Sequence, residues 1–516
     1  MQPMDQTCPT GAALEAPADT SRHPVRTILL AAAVFAAAAI YYAAVGDGFL
    51  EADACTHYLI ARWALHEPHQ LVSVWGRPFC TALYSVPAVL GGRFGVQLTS
   101  LAVALAISLI TWAIARGQGY RRPELAAIFL LAMPLVFLHA FSELTELPFA
   151  LLVALGLWMY QRRWFLGLAI VAGLMPLARP EGFGFILLAA GAIVLHRRWW
   201  WIAVLPIPLI VWNHAGWVIW GWQGPWWEWL PSNWPYADKS MYASGSLFHF
   251  VALLPVLVSP LLFPALPIGI WQSLRGVLNA SILRRVFGSS AEDHRLRVQL
   301  VIVAIPLGVL GVHSVLYALG RMASNGELRY LLVAAPMWAL LGALGWQWAF
   351  EKMRWRRPTL WAGLAALVPL AINLTVWQVL PLKAYEDFQI AGELVKWYQG
   401  DAELSRRYPH LMASHVAIYY HADISMHDPE RARPWGQDMV AKRPPGTILI
   451  WDPVYGLYNS DRKLSVKVEQ IEQAGWREIP WPLAVEPARR VWSESAHLNS
   501  PPPGDTWRIF VSEVVE

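Results

Sequence analysis

Apolar residues fall in long runs along most of this chain, separated by short polar joins. The runs lack the strict alternation of a half-buried strand, and most lack the polar face of a surface helix. A helix needs ~20 mostly apolar residues to cross a bilayer. The pattern predicts spans near 27–45, 96–116, 125–140, 146–161, 164–178, 182–196, 200–221, 247–271, 298–319, 330–350 and 359–380, about 11 transmembrane helices. The stretch 78–92 is apolar but rich in Gly and Pro and is expected as a re-entrant or interfacial piece. From about 381 the pattern changes: charges return, and short apolar runs such as 446–451 (GTILIW) mix with helix-like stretches such as 390–398. That change predicts a small α/β domain over 381–516, a normal domain size.

Composition agrees with a bilayer. Of 516 residues, 56% are hydrophobic and only 15% charged, where a soluble domain carries roughly 25% charged residues. The 30 tryptophans fit the same picture, since indole favours the membrane interface. The net charge of +4 is spread over many loops without a basic block, which argues against nucleic acid as a partner. Residues 1–26 are polar and read as a cytoplasmic, disordered tail, with a cleaved signal peptide as the competing reading of the first run. Three cysteines, Cys8, Cys55 and Cys80, form no disulfide framework, although Cys55 and Cys80 share one loop and could pair outside the cytoplasm.

Orientation follows from Lys and Arg in short loops. Alternate loops carry Arg22 and Arg26, Arg116 to Arg122, Arg162 and Arg163, Arg197 and Arg198, five arginines over 275–297, and four basic residues over 352–357. They outnumber the Lys and Arg of the other loops by more than two to one and should be cytoplasmic. The parity then places outside the long first loop 46–95, the joins 141–145, 179–181 and 320–329, the Trp-rich loop 222–246 and the tail from 381. The chain is expected in a plasma or inner membrane.

Four groups of ionisable residues fall on that face. Glu51 and Asp53 follow the first span, and His57 lies four residues after Asp53, on the same face of a helix. Carboxylates near hydrocarbon lose hydration and suit a general base or a metal ligand; a solvated loop is the plainer reading. Glu143 and Glu146 lie between two apolar runs, where an ionisable group is a functional candidate, against a Ser142–Glu146 helix cap. Arg179 and Glu181 could neutralise each other, or Arg179 could meet a phosphate through its donor fork. Arg321, with Glu327, Arg329 and Tyr330, ends the set, against simple snorkelling. Trp226, Trp227, Trp229 and Trp234 could stack on a sugar or a headgroup. Together these groups would suit transfer of a polar group from a lipid phosphate at the bilayer surface.

At these residues the chain resembles the GT-C glycosyltransferases. Glu51-Ala52-Asp53 has the form of their first-loop acidic motif, with Ala54 where a second acid is common. SELTELPFALLVALGLW (142–158), ARPEGFGFILL (178–188) and GELRYLLVAAPMW (326–338) are similar to later segments of that superfamily, and WGRP (75–78) and 235–250 to bacterial members of unassigned activity. The resemblance implies a polyprenyl-phosphate monosaccharide donor, an inverting transfer of mannosyltransferase type, and a lipid, glycan or protein acceptor reached from outside. It implies Asp53 or Glu51 as base, with Asp53 favoured because His57 could orient it, and Arg179 and Arg329 at the donor phosphate. A divalent metal, where one is used, would take Glu51 and Asp53, whose oxygens suit magnesium or manganese. The alternatives are a transporter or flippase for a lipid-linked or polar substrate, disfavoured because no internal repeat is found, and a non-catalytic scaffold.

Overall fold

The computed structural model describes residues 23–47, 50–234, 244–260, 262–278, 288–322, 325–354, 383–457, 462–480, 482 and 506–513. Residues 1–22 of the expected N-terminal tail, the expected span 359–380, Cys8 and most of 235–250 lie outside them, while 23–26, expected in that tail, are already helical.

The membrane part runs through α1 (His23–Val45), α2 (Ala52–Trp63), α3 (Pro68–Leu71), α4 (Pro78–Gly117), α5 (Glu124–Leu131), α6 (Pro134–His139), α7 (Glu146–Gln161), α8 (Phe165–Ala178), α9 (Gly182–Leu195), α10 (Ile207–Ile219), α11 (Trp229–Ser232), α12 (His249–Val258), α13 (Leu266–Leu278), α14 (Ala291–Ala318) and α15 (Ala335–Met353). Apolar side chains on every side make the long helices among these the natural form in lipid, where each backbone polar group must be satisfied within its own segment. Five described helical stretches are long and apolar enough to span, or up to six if one bent pair counts as a span, with α7, α8 and α9 as shorter apolar helices. The chain is a multi-pass membrane protein.

Two expected spans are broken. The run 125–140 divides into α5 and α6 at Met133, which is extended at ψ 123 ahead of Pro134; proline disfavours a helical residue before it and caps the next helix well. The run 247–271 divides at Ser259, whose φ is 80, and the arms on either side are bent by 111°. The stretch expected as a re-entrant or interfacial piece is helical. It forms the first arm of α4, set off from the second by Gly92 at φ 58 and ψ −146. The fold-back is so tight that a Cβ at Gly95 would stand 2.3 Å from the Pro87 carbonyl oxygen.

The C-terminal part holds α16 (Glu386–Gly400), α17 (Ala402–Arg407), β1 (His410–Ala413), α18 (Val416–Ala422), α19 (Gln437–Lys442), β2 (Thr447–Trp451), α20 (Val468–Gln473), β3 (Arg477–Ile479) and β4 (Arg508–Ser512). Its mixed sheet has the order β1-β2-β4-β3, with β1 parallel to β2 and β4 antiparallel to both β2 and β3. Side chains alternate between faces. Leu411, Ala413, Ile448, Ile450, Ile509 and Val511 face a core shared with α16 and α18, while Met412, Leu449, Trp451 and Phe510 face a core with Val440, Ile471 and Trp476. A strand covered on both faces reads as an unbroken apolar run, which explains the continuous stretch at β2. The first of these cores continues without a break into the membrane helices.

Replacing Gly95 with Val should cost about 2 kcal/mol by overpacking the fold-back, read as a lowered melting temperature in detergent. Gly91→Ala, at a position with open space, should leave the melting temperature unchanged.

Candidate functional site

Four joins between helices converge on two buried arginines. Glu51 is extended and precedes α2, and Asp53 sits in its first turn, where the positive end of the helix dipole favours an acid. Both meet Arg329, which lies in the 3-10 stretch Leu328–Ala334 that opens α15. Arg329 pairs with Glu51 and Glu327, reaches Asp53 at 2.8 Å and stands 3.5 Å from Glu146. Arg179, extended at the end of α8, donates to Glu146 at 2.6 Å, to Thr145 at 3.2 Å and to Glu181 at 3.0 Å. Glu146 is therefore shared between the two guanidinium groups. The Tyr330 ring links the set further: Arg179 lies over it at 5.7 Å, His313 stacks on it at 5.3 Å, and its hydroxyl donates to Asn325 at 2.6 Å. His313 in turn stands 3.9 Å from Glu181.

Openness differs sharply among the carboxylates. The Asp53 side chain is 38% exposed against 13% for Glu51, and Glu146 and Glu327 are buried. Asp53 is thus the acid of this group that an incoming molecule meets first. Burial pushes the Glu327 carboxyl up against the pull of Arg329, with Glu51 and Asp53 adding to the rise. Burial also acts to raise Glu181, but Arg179 and His313 overcome it and hold that carboxyl down at about 2. Polar atoms of Glu146, Glu181 and Arg329 remain buried beyond the reach of a hydrogen-bond partner.

Several expected residues behave otherwise. His57 is buried and makes no hydrogen bond to Asp53; Arg329 takes that carboxylate instead. Burial, then nearby Arg77, lowers the His57 imidazole to about 3. The Ser142–Glu146 cap does not form: α7 begins without a side-chain cap, Ser142 receives the Leu144 amide, and Glu146 turns to Arg179. Arg321 is exposed and has no ion pair among the described residues. Trp229 is core, packed on Gly216 and edge-on to Trp212 at 6.4 Å. Cys55 and Cys80 are buried free thiols rather than a disulfide.

Glu143 belongs to a neighbouring network. Gln97 donates to it at 3.2 Å and the Tyr420 hydroxyl at 3.5 Å. Burial pushes its carboxyl up to about 7, against the lowering pull of Arg93 and of both hydrogen bonds. Gln97, a polar residue inside the apolar run 96–116, is the signal that could have pointed here. Nothing local announces Tyr420, which lies 277 residues away.

Among the described residues, no three His, Cys, Asp or Glu side chains gather as a metal-ligand set. The pair expected to hold magnesium or manganese has a guanidinium between its carboxylates, and a divalent ion there would have to displace Arg329. These residues fit an arginine better than an octahedral cation.

A multi-pass helical part with a mixed-sheet unit packed on it is the architecture of the polytopic GT-C fold. The chain is similar to ArnT from Cupriavidus metallidurans bound to undecaprenyl phosphate, with a TM-score of 0.57 at 13% identity over 85% of this chain and 96% of that one. It is also similar to the archaeal oligosaccharyltransferase AglB from Archaeoglobus fulgidus in complex with an inhibitory peptide and a dolichol-phosphate, with a TM-score of 0.52 at 11% identity over 83% of this chain and 69% of that one. At such identities the likeness is one of fold. No protein-family model matches the sequence, and no curated protein matches it.

A carboxylate held above its unfolded value binds more protons in the native state, so stability falls as pH rises between the two values. Glu143 should therefore contribute a loss of stability between about pH 4.5 and pH 7, where the unfolded chain ionises this carboxyl and the native chain still holds its proton, with a limiting slope of about 1.4 kcal/mol per pH unit. The melting temperature of Glu143→Gln relative to the parent chain should therefore rise across that window; a difference that stays constant with pH would remove the effect from Glu143.

Proposed function

We propose that this protein is a membrane glycosyltransferase that moves a monosaccharide from a polyprenyl-phosphate donor to an acceptor at the non-cytoplasmic face, with inversion. The observation that carries the reading is the convergence of Asp53, Glu51, Arg179 and Arg329 from distant joins, with Asp53 the most open acid around Arg329. The fold supports it, because solved proteins of that fold hold undecaprenyl phosphate and dolichol-phosphate.

In this reading the acceptor hydroxyl attacks the anomeric carbon from the face opposite the phosphate. A new carbon–oxygen bond forms as the bond from that carbon to the phosphate oxygen breaks. Asp53 takes the hydroxyl proton, and polyprenyl phosphate leaves with the bonding electrons. Arg329, surrounded by carboxylates, holds Glu51 and Asp53 in place. Arg179 is the better partner for the departing phosphate, since a guanidinium fork matches phosphate oxygens and meets charge as it develops. Tyr330 and Glu181 keep Arg179 oriented. Glu51 is the alternative base, less open than Asp53. The C-terminal unit lies on the same, non-cytoplasmic side.

Asp53→Asn should abolish sugar transfer in membranes supplied with lipid-linked donor, at unchanged expression; retained transfer would move the base to Glu51. Arg179→Lys keeps the charge but loses the fork, and should raise the donor KM about tenfold while changing kcat less. An unchanged KM would remove Arg179 from the phosphate.

A further inference from the structure

The C-terminal unit touches the parts of the membrane domain that carry the site. Tyr420, buried in α18, places its ring edge-on to Tyr58 of α2 at 5.2 Å and under Arg93 at 5.2 Å. Its hydroxyl accepts from Arg93 at 3.3 Å and donates to Glu143 at 3.5 Å. Three residues on, Asp423 ends α18 in the left-handed conformation and takes the Arg62 fork at 3.1 and 2.9 Å. Arg62 belongs to α2 and also donates to the carbonyls of Ala88 and Val89, both at 3.1 Å, in the first arm of α4.

These contacts act on two site-bearing pieces. Helix α2 carries Asp53. The turn 142–146 carries Glu143 at one end and Glu146, the carboxylate shared by Arg179 and Arg329, at the other. The second arm of α4 already grips that turn, because Ser100 donates to the Ser142 carbonyl at 2.6 Å and Gln97 to Glu143 at 3.2 Å. From the first arm, Tyr84 donates to the Leu144 carbonyl at 3.0 Å. Tyr420 completes the grip from the far end of the chain.

We propose that Tyr420 and Asp423 are positioning residues: Tyr420 holds the 142–146 turn through Glu143, and Asp423 holds α2 through Arg62, so the C-terminal unit sets the spacing of Asp53 and Glu146 around Arg329. The positioning rests on the geometry alone; its effect on donor binding rests on the transferase reading. Glu143 then serves as an anchor of the turn rather than as a substrate contact.

The test uses the full chain in lipid nanodiscs and the variants Tyr420→Phe and Asp423→Asn. Phenylalanine keeps the ring against Tyr58 and Arg93 and removes only the hydroxyl. Amide exchange over 142–147 should rise about tenfold in Tyr420→Phe, and exchange over 52–58 by a similar factor in Asp423→Asn, as expected for loss of a hydrogen bond to a charged group. Exchange over 447–451, in the sheet, should stay as in the parent chain. Undecaprenyl phosphate should bind each variant about fivefold more weakly. Unchanged exchange over 142–147 and 52–58 would overturn the proposal, as would a rise that extends to 447–451, which marks plain loss of folding. If the parent chain itself binds no undecaprenyl phosphate, the transferase reading fails, and the exchange pattern still decides the positioning.

Discussion

The structure turns on one buried guanidinium. Arg329 draws Glu51, Asp53 and Glu327 to itself from two joins and stands beside Glu146 from a third. A charge taken out of water this completely is tolerated only with close, well-formed partners, and the partners tolerate their own burial only because of it. The helices that carry them must meet at one level, or the charges are stranded. What looks like a catalytic feature is also the condition under which these ends of the helices can pack together.

The second arginine extends the same logic. Arg179 shares Glu146 with Arg329 and pairs with Glu181, so the carboxylates and guanidinium groups alternate as a chain rather than as separate pairs. Acids outnumber arginines, and the burial that raises Glu327 relieves part of that excess. The two ends of the chain differ in character: Asp53 lies open to an incoming molecule, while Glu181 lies against His313 and the Tyr330 stack. A group with a proton to lose and a group with charge to shed can thus be met at different places in one connected site.

Much of this was legible in the sequence, for a physical reason. Ionisable residues between long apolar runs are rare because they are costly, so Glu51, Asp53, Glu146, Arg179 and Arg329 stand out without any alignment. The short apolar run at β2 likewise pointed to an α/β unit, and the structure shows that strand covered on both faces. The break ahead of Pro134 was in view, but hydropathy adds up along a run and hides a bend inside it. The partners were not legible. A four-residue spacing put His57 on the face of Asp53, yet Arg329 took the carboxylate. Tyrosine is common in any folded unit, and nothing near Tyr420 shows that it reaches Glu143. Trp229 illustrates the opposite error: in a tryptophan-rich loop, this one fills a core.

The short joins at the site have a further consequence. Each charged group sits within a residue or two of a helix end, so its height is set by the length of the helix beneath it. One residue added to a span lifts its end by ~1.5 Å and turns it by about 100°, enough to part a salt bridge. The composition of the lipid-facing surface carries no such constraint, since one apolar residue serves nearly as well as another. Selection in such a molecule would bear on length rather than on letters. Two chains could then diverge until their sequences no longer match while their backbones still superimpose, as this chain does with proteins only 11–13% identical to it.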